Sequence, residues 1–214
     1  MTPAICHVAA VKADPGLFLY PEDVNRLLSV SRMEKVRRLL SPAAGALSLA
    51  AELALLAALY ETDPGFRPPA RYEYAPGGAP FIPGGPFISL SHSGEYALAA
   101  ACAVPIGIDI EGPARYHPAL ARKCLTNREQ SVLSLSPFPE QAFRRCWVAK
   151  EAYVKFTGEG LKRPFGQVNA EEYTVEGLPL YRLHFDGHEA ALCAGAPVEL
   201  SLTLCRARDV IARF

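Results

Sequence analysis

The sequence carries no net charge: over 214 residues, 22 Lys and Arg are matched by 22 Asp and Glu. No global field therefore steers the chain onto nucleic acid or anionic lipid, and electrostatic binding has to be local. A C-x-x-C pair is missing, and the six cysteines, Cys6, Cys102, Cys124, Cys146, Cys193 and Cys205, stand singly. That spacing argues against a zinc site and a redox dithiol. The opening residues lack a basic stretch followed by an apolar one, so reduced, mostly buried thiols are expected rather than a disulfide framework. There is no G-x-S-x-G elbow, no P-loop and no G-x-G-x-x-G. The most membrane-like run, Ala43 to Tyr60, is dominated by alanine and contains Glu52 and Ser48. It reads as a buried helix rather than a span, and a soluble cytoplasmic protein is expected.

What is present is half hydrophobic, with 21% charged residues, a composition that builds a core and excludes a disordered tail. The length suits one large domain or two lobes of about 100 residues. Met1 to Val11 reads as a first strand, and Ser31 to Tyr60 as two helices broken at Ser41-Pro42. Seven prolines and five glycines between Glu61 and Pro86 predict an irregular crossing. Three strands, Phe87 to Ser91, Tyr96 to Val104 and Ile106 to Glu111, are expected to form an antiparallel meander. Helical character over 118–135 and 140–156, then strand character over 168–175, 180–185, 190–194 and 198–205, completes an α+β pattern. A boundary at Val104-Pro105 divides it into lobes of similar size, 1–104 and 105–214.

Four groups of residues can carry chemistry. Along Ile106-Gly107-Ile108-Asp109-Ile110-Glu111 the isoleucines share one face of a strand and Gly107, Asp109 and Glu111 the other, with the two carboxylates about 7 Å apart at Cα. Such a pair suits a magnesium ion that also takes phosphate oxygens, although a solvated acidic face is the commoner case. On a helix, Trp147, Glu151 and Lys155 lie four apart along one stripe. A surface ion pair beside a core tryptophan has the same pattern. Ser91 and Ser93 flank His92 at a strand end, where hydroxyl and imidazole groups can meet phosphate oxygens, or simply form a turn. Arg26, Arg32, Lys35, Arg37 and Arg38, against Glu34, make a local basic cluster that fits a phosphate or a solvated helix face.

In order and spacing these groups resemble one family, the 4′-phosphopantetheinyl transferases, in the larger single-chain, pseudo-dimeric branch. The family's Gly-x-Asp-x-Glu motif is similar to Gly107, Asp109 and Glu111. Its W-x-x-K-E-A-x-x-K motif is similar to Trp147, Lys150, Glu151, Ala152 and Lys155, with 40 positions from Glu111 to Glu151. Phe87 to Ser93 and Gly158-Glu159-Gly160-Leu161 add to the likeness, which spans about Pro80 to Phe165 with a looser echo in Arg32 to Arg38.

The resemblance implies transfer of the phosphopantetheine arm from coenzyme A to a serine of an acyl or peptidyl carrier protein, releasing 3′,5′-ADP. Asp109, Glu111 and Glu151 would hold Mg²⁺, with Mn²⁺ not distinguished. Glu151 would act as general base, directly or through a water on the metal. Asp109 and Lys155 complete the catalytic set. Arg32 and Lys35 would meet the nucleotide's 3′-phosphate, while Ser91, His92 and Lys155 meet the pyrophosphate. Lys150 is assigned either charge balance or helix solvation. The implied fold is two similar lobes related by a pseudo-twofold, each a three-stranded antiparallel sheet on a long helix, with coenzyme A between them in a monomer. Two departures, Ala79 where relatives often have lysine and the apolar stretch Ala43 to Leu47, remove charge at the nucleotide end. They keep open a non-catalytic coenzyme A or carrier-binding module, and the shared carboxylates keep open a Mg²⁺-dependent phosphohydrolase.

Overall fold

Ser41 and Pro42 start the longest helix, Pro42–Thr62: the serine hydroxyl accepts the Ala44 N–H, and proline stands in the first turn where its missing donor costs nothing. In the computed structural model, which describes residues 2–18, 24–114, 117–160 and 163–214, that helix is α2. In chain order the elements are β1 (Ala4–Lys12), α1 (Val30–Arg37), α2, β2 (Glu73–Tyr74), β3 (Pro80–Phe81), β4 (Phe87–Ser93), β5 (Tyr96–Cys102), β6 (Ile106–Glu111), α3 (Pro118–Cys124), α4 (Asn127–Leu135), α5 (Pro139–Thr157), β7 (Thr174–Val175), β8 (Leu178–Phe185), β9 (His188–Ala194), β10 (Val198–Arg206) and α6 (Ala207–Arg213). Met1 of the expected first strand and Leu161 of the glycine-rich segment lie outside the described residues.

The two larger sheets run β10-β1-β5-β4 and β6-β9-β8-β7. Their cores repeat one connectivity. A strand (β1 or β6) leads to a long helix (α2 or α5) and then a hairpin (β4-β5 or β8-β9), whose last strand returns antiparallel beside the first. Ala97, Ala99 and Ala101 put small side chains under α2, and Val148, Ala149 and Ala152 of α5 lie on Ala191 and Cys193 of β9. Between these layers the sheets face each other, with Leu98, Ala100 and Cys102 meeting Ile106, Ile108, Ile110 and Leu192. Helix α2 is long and apolar enough to cross a membrane, yet 78% of its apolar window is buried inside the protein.

The division into 1–104 and 105–214 needs correction. Strand β10 leaves the second half and pairs in parallel with β1 from Ala4↔Val198 to Lys12↔Arg206, so the first sheet is mixed and the last residues belong to it. The cause is an open edge: β5 covers one side of β1, and β10 satisfies the backbone groups on the other. Nor is β6 the third strand of a meander, since it heads the second sheet. The expected helix over 118–135 is split by a capping box, in which Thr126 and Glu129 each accept the other's backbone N–H. The Pro/Gly crossing holds the short hairpin β2-β3.

The alternation expected for β6 is observed. Each buried isoleucine contributes about 1.5–3 kcal/mol, and a one-residue slip would drive Asp109 and Glu111 into the sheet interface. On the other face Gly107 lets α5 come close, because a Cβ there would overlap the backbone of Ala152 and Phe156. Gly107→Ala is therefore expected to push the helix off the strand and cost about 2–3 kcal/mol, read as a lower urea midpoint. An unchanged midpoint would contradict this close approach.

Candidate active site

Strand β6 carries Asp109 toward α5, where Glu151 and Lys155 occupy successive turns. Asp109 is buried, and its Oδ1 accepts from Lys155 Nζ at 2.7 Å and from Ser91 Oγ at 2.7 Å. Lys155 also donates to the Leu90 carbonyl at 3.3 Å. One carboxylate oxygen thus joins β4, β6 and α5. Beside it, a cavity of about 220 Å³ opens between the β2-β3 turn and the end of α5, lined by Ala79, Leu90, Lys155 and Gly160 among others.

Charge is divided across this junction. Burial raises the Glu151 carboxyl above its ordinary value, Asp109 raises it further, Lys155 pulls it down, and Glu111 adds a smaller upward push. Glu111 is also raised, first by burial and then by Asp109, against hydrogen bonding from Ser93 and attraction to Arg144 and His188. The three carboxylates therefore repel one another in a shielded place. On the opposite side the His92 imidazole is lowered by desolvation and then by Lys35, Lys155 and Arg32. Lys35 is itself lowered by desolvation and by Arg32. The basic helix and the Ser-His-Ser strand end, far apart in sequence, share one field.

A raised carboxyl binds protons more tightly in the fold than in the unfolded chain. Its contribution to stability is then lost as pH rises from the ordinary glutamate value through the raised one. Glu151→Gln is expected to raise the thermal midpoint by roughly 1–3 °C at about pH 7 and to leave it unchanged at about pH 4. Differential scanning fluorimetry at the two values checks this, and a loss at neutral pH would contradict the repulsive cluster.

The other expected site residues are placed differently. Arg32 does not stand free for a phosphate: it is buried, its Nε donates to Glu52 Oε2 at 3.0 Å and its guanidinium reaches Ser48 Oγ at 3.3 Å. Tyr72 donates to the same Glu52 oxygen at 2.8 Å. Helix α2 is apolar around this carboxylate, and an ion pair is the arrangement that lets it stay charged there. Lys35 and His92 are exposed and remain open to an anionic ligand. Ser91 commits its single O–H to Asp109, so in this arrangement it orients the carboxylate rather than donating to phosphate.

Lys150, left between two roles by the sequence, is structural. Fully buried, it donates to the carbonyls of Cys124 at 2.8 Å and Phe165 at 2.9 Å and to Glu129 Oε2 at 2.5 Å. Its three N–H donors are all used. Sequence reasoning passed over Ser89, whose hydroxyl accepts the Ile108 N–H at 3.0 Å, and the close contact at Gly107. A glycine among isoleucines was the available signal for the latter. Among the described residues no group of three or more His, Cys, Asp or Glu side chains forms a ready metal cage.

Residues 105–196 match the family model described as the 4′-phosphopantetheinyl transferase superfamily. The 4′-phosphopantetheinyl transferase Sfp of Bacillus subtilis (strain 168) is 31% identical over 137 residues, 56% of this chain and 61% of that protein. The 4′-phosphopantetheinyl transferase ffp of Bacillus subtilis is 27% identical over 199 residues, 84% of this chain and 88% of the relative. The holo-[acyl-carrier-protein] synthase of Nitrosomonas eutropha is 33% identical over 88 residues, 37% of this chain and 70% of its own length.

Proposed function

This chain belongs to the 4′-phosphopantetheinyl transferase superfamily, and from that premise we propose that it transfers the 4′-phosphopantetheine arm of coenzyme A to a serine of an acyl or peptidyl carrier protein, releasing 3′,5′-ADP. The observation that carries the reading is the Asp109–Lys155 pair, which joins the two sequence motifs beside a cavity, with Lys155 acting on His92 as Lys35 does.

In the transfer, the serine oxygen bonds to the phosphorus bearing the pantetheine arm, and the bond from that phosphorus to the bridging oxygen breaks. The electron pair leaves with 3′,5′-ADP. Glu151 takes the serine proton as general base. Lys155 and Lys35 supply positive charge to the phosphate oxygens, with His92 as a further hydrogen-bond donor. Asp109 keeps Lys155 aimed at the cleft.

The acidic set has the hard oxygen donors a divalent cation takes, although among the described residues no three of them already stand as a cage. Asp109, Glu111 and Glu151 would hold Mg²⁺, whose charge would offset the burial and, after it, the repulsion that raise both glutamates. Magnesium commonly takes one or two carboxylates beside phosphate oxygens and water, so the reading does not require a ready three-ligand cage. When bound, the ion supplies charge neutralisation at the pyrophosphate. The six free thiols suit a reducing compartment, and the cytoplasm is the place proposed for the reaction.

Chromatographic detection of 3′,5′-ADP tests the reading. Release is expected with coenzyme A, Mg²⁺ and an apo carrier, and not with a carrier whose acceptor serine is alanine. Nucleotide release without any carrier would favour hydrolysis. Coenzyme A binding with no release would leave a binding module, the possibility raised by the engaged Arg32 and by Ala79.

A further inference from the structure

Two edge strands meet at the site. Strand β4 ends the first sheet and β6 ends the second, so each turns alternate backbone donors and acceptors toward a neighbour outside its own ladder. Left unpaired in a buried place, such donors are costly. Every second residue of β4 answers one need on the facing segment. Ser89 Oγ accepts the Ile108 N–H at 3.0 Å, Ser91 Oγ donates to Asp109 Oδ1 at 2.7 Å, and Ser93 Oγ accepts the Gly112 N–H at 3.1 Å. Ile88, before the first serine, and Leu90, after it, pack toward α2.

Serine suits this task because its hydroxyl is one bond beyond Cβ. A backbone ladder would fuse the sheets into one, whereas the short side chains keep the strands side by side with their faces free to diverge. The two outer serines bracket the two carboxylates: Ile108 precedes Asp109, and Gly112 follows Glu111. Fixing those two amides fixes the backbone that carries both acids.

We infer that Ser89 and Ser93 are positioning residues, bracing β6 against β4 so that Asp109 and Glu111 of the second sheet are held in place relative to His92 of the first. Ser89 touches no group of the proposed machinery, whereas Ser93 also hydrogen-bonds the Glu111 carboxylate, so Ser89→Ala is the variant that isolates the bracing. The inference deepens the proposed transfer and rests on it for its kinetic consequence.

The test uses the full chain with Ser89→Ala, Ser93→Ala, the double variant and Ser93→Thr, which keeps the hydroxyl. Amide hydrogen exchange by NMR follows Ile108 and Gly112, and carrier labelling gives kcat and the KM for coenzyme A. Each alanine is expected to speed exchange of its own partner amide by about tenfold or more. The double variant is expected to lose about ten- to a hundredfold in kcat with KM for coenzyme A within twofold, and Ser93→Thr to behave as wild type. Unchanged exchange would overturn the bracing, and fast exchange with undiminished kcat would overturn the positioning role. Should wild-type protein label no carrier, the proposed transfer fails by itself, and the exchange of the two amides still supports or overturns the bracing.

Discussion

Asp109→Asn is expected to abolish carrier labelling, with kcat falling by about 10³-fold, while the protein stays folded. The asparagine keeps an oxygen for the Ser91 hydroxyl, so the link between β4 and β6 survives. What disappears is the charge at the centre of the site. Lys155, 29% exposed, can turn to water, so the stability loss should be small. The same substitution removes a repulsion from both glutamates, whose carboxyls are then expected to titrate closer to the ordinary value. Labelling and a thermal melt on one sample separate the two effects. Undiminished labelling would remove Asp109 from the machinery.

Lys150→Met has the opposite signature: a large stability loss with the chemistry of each folded molecule largely intact. Removing the ammonium leaves the nearly buried Glu129 charged without its cation and strips two carbonyls, at Cys124 and Phe165, of their donor. Breaking a buried pair from one side costs about 3–5 kcal/mol. That is a large part of the stability of an ordinary domain. Urea unfolding measures it, and Glu129→Gln in the same chain should recover part of the loss because the stranded charge is gone. A loss under about 1 kcal/mol would mean that the ammonium is not the tie between α3, α5 and the turn at Phe165. The lysine and the glutamate that follow each other in the Trp147–Lys155 motif thus have different tasks. Lys150 faces the interior, and Glu151 faces the cleft.

Much of this arrangement was legible in the sequence because it is written in local periods. Alternation placed Asp109 and Glu111 on one face of β6, and helical spacing placed Glu151 and Lys155 on one stripe of α5. The repeated strand, helix and hairpin also followed the expected order of elements. Period, however, says nothing about partners. The pairing of β10 with β1 depends on an open edge nearly 200 positions earlier in the chain. Arg32 carries a charge that any surface helix could show, and only the fold sets it against Glu52, 20 residues away. A lone acid in the middle of an apolar helix was the signal that a buried partner was needed. Lys150 is settled by two carbonyls and a carboxylate from three segments, which no local pattern encodes.

Placement also shows where two departures from the family pattern lie. Ala79 and Lys155 line the same cavity, and the lysine there is paired with Asp109. The apolar stretch from Ala43 to Leu47 begins a helix whose later turns are buried on every side, while Lys35 of the preceding helix is exposed.

Intact-mass spectrometry of apo acyl and apo peptidyl carrier proteins, incubated with this protein, coenzyme A and Mg²⁺, tests the central claim most directly. At least one carrier is predicted to gain the mass of one phosphopantetheine arm, and the gain is predicted to vanish with EDTA or with Asp109→Asn. Carriers that stay at their apo mass while coenzyme A binding is confirmed on the same sample would contradict it.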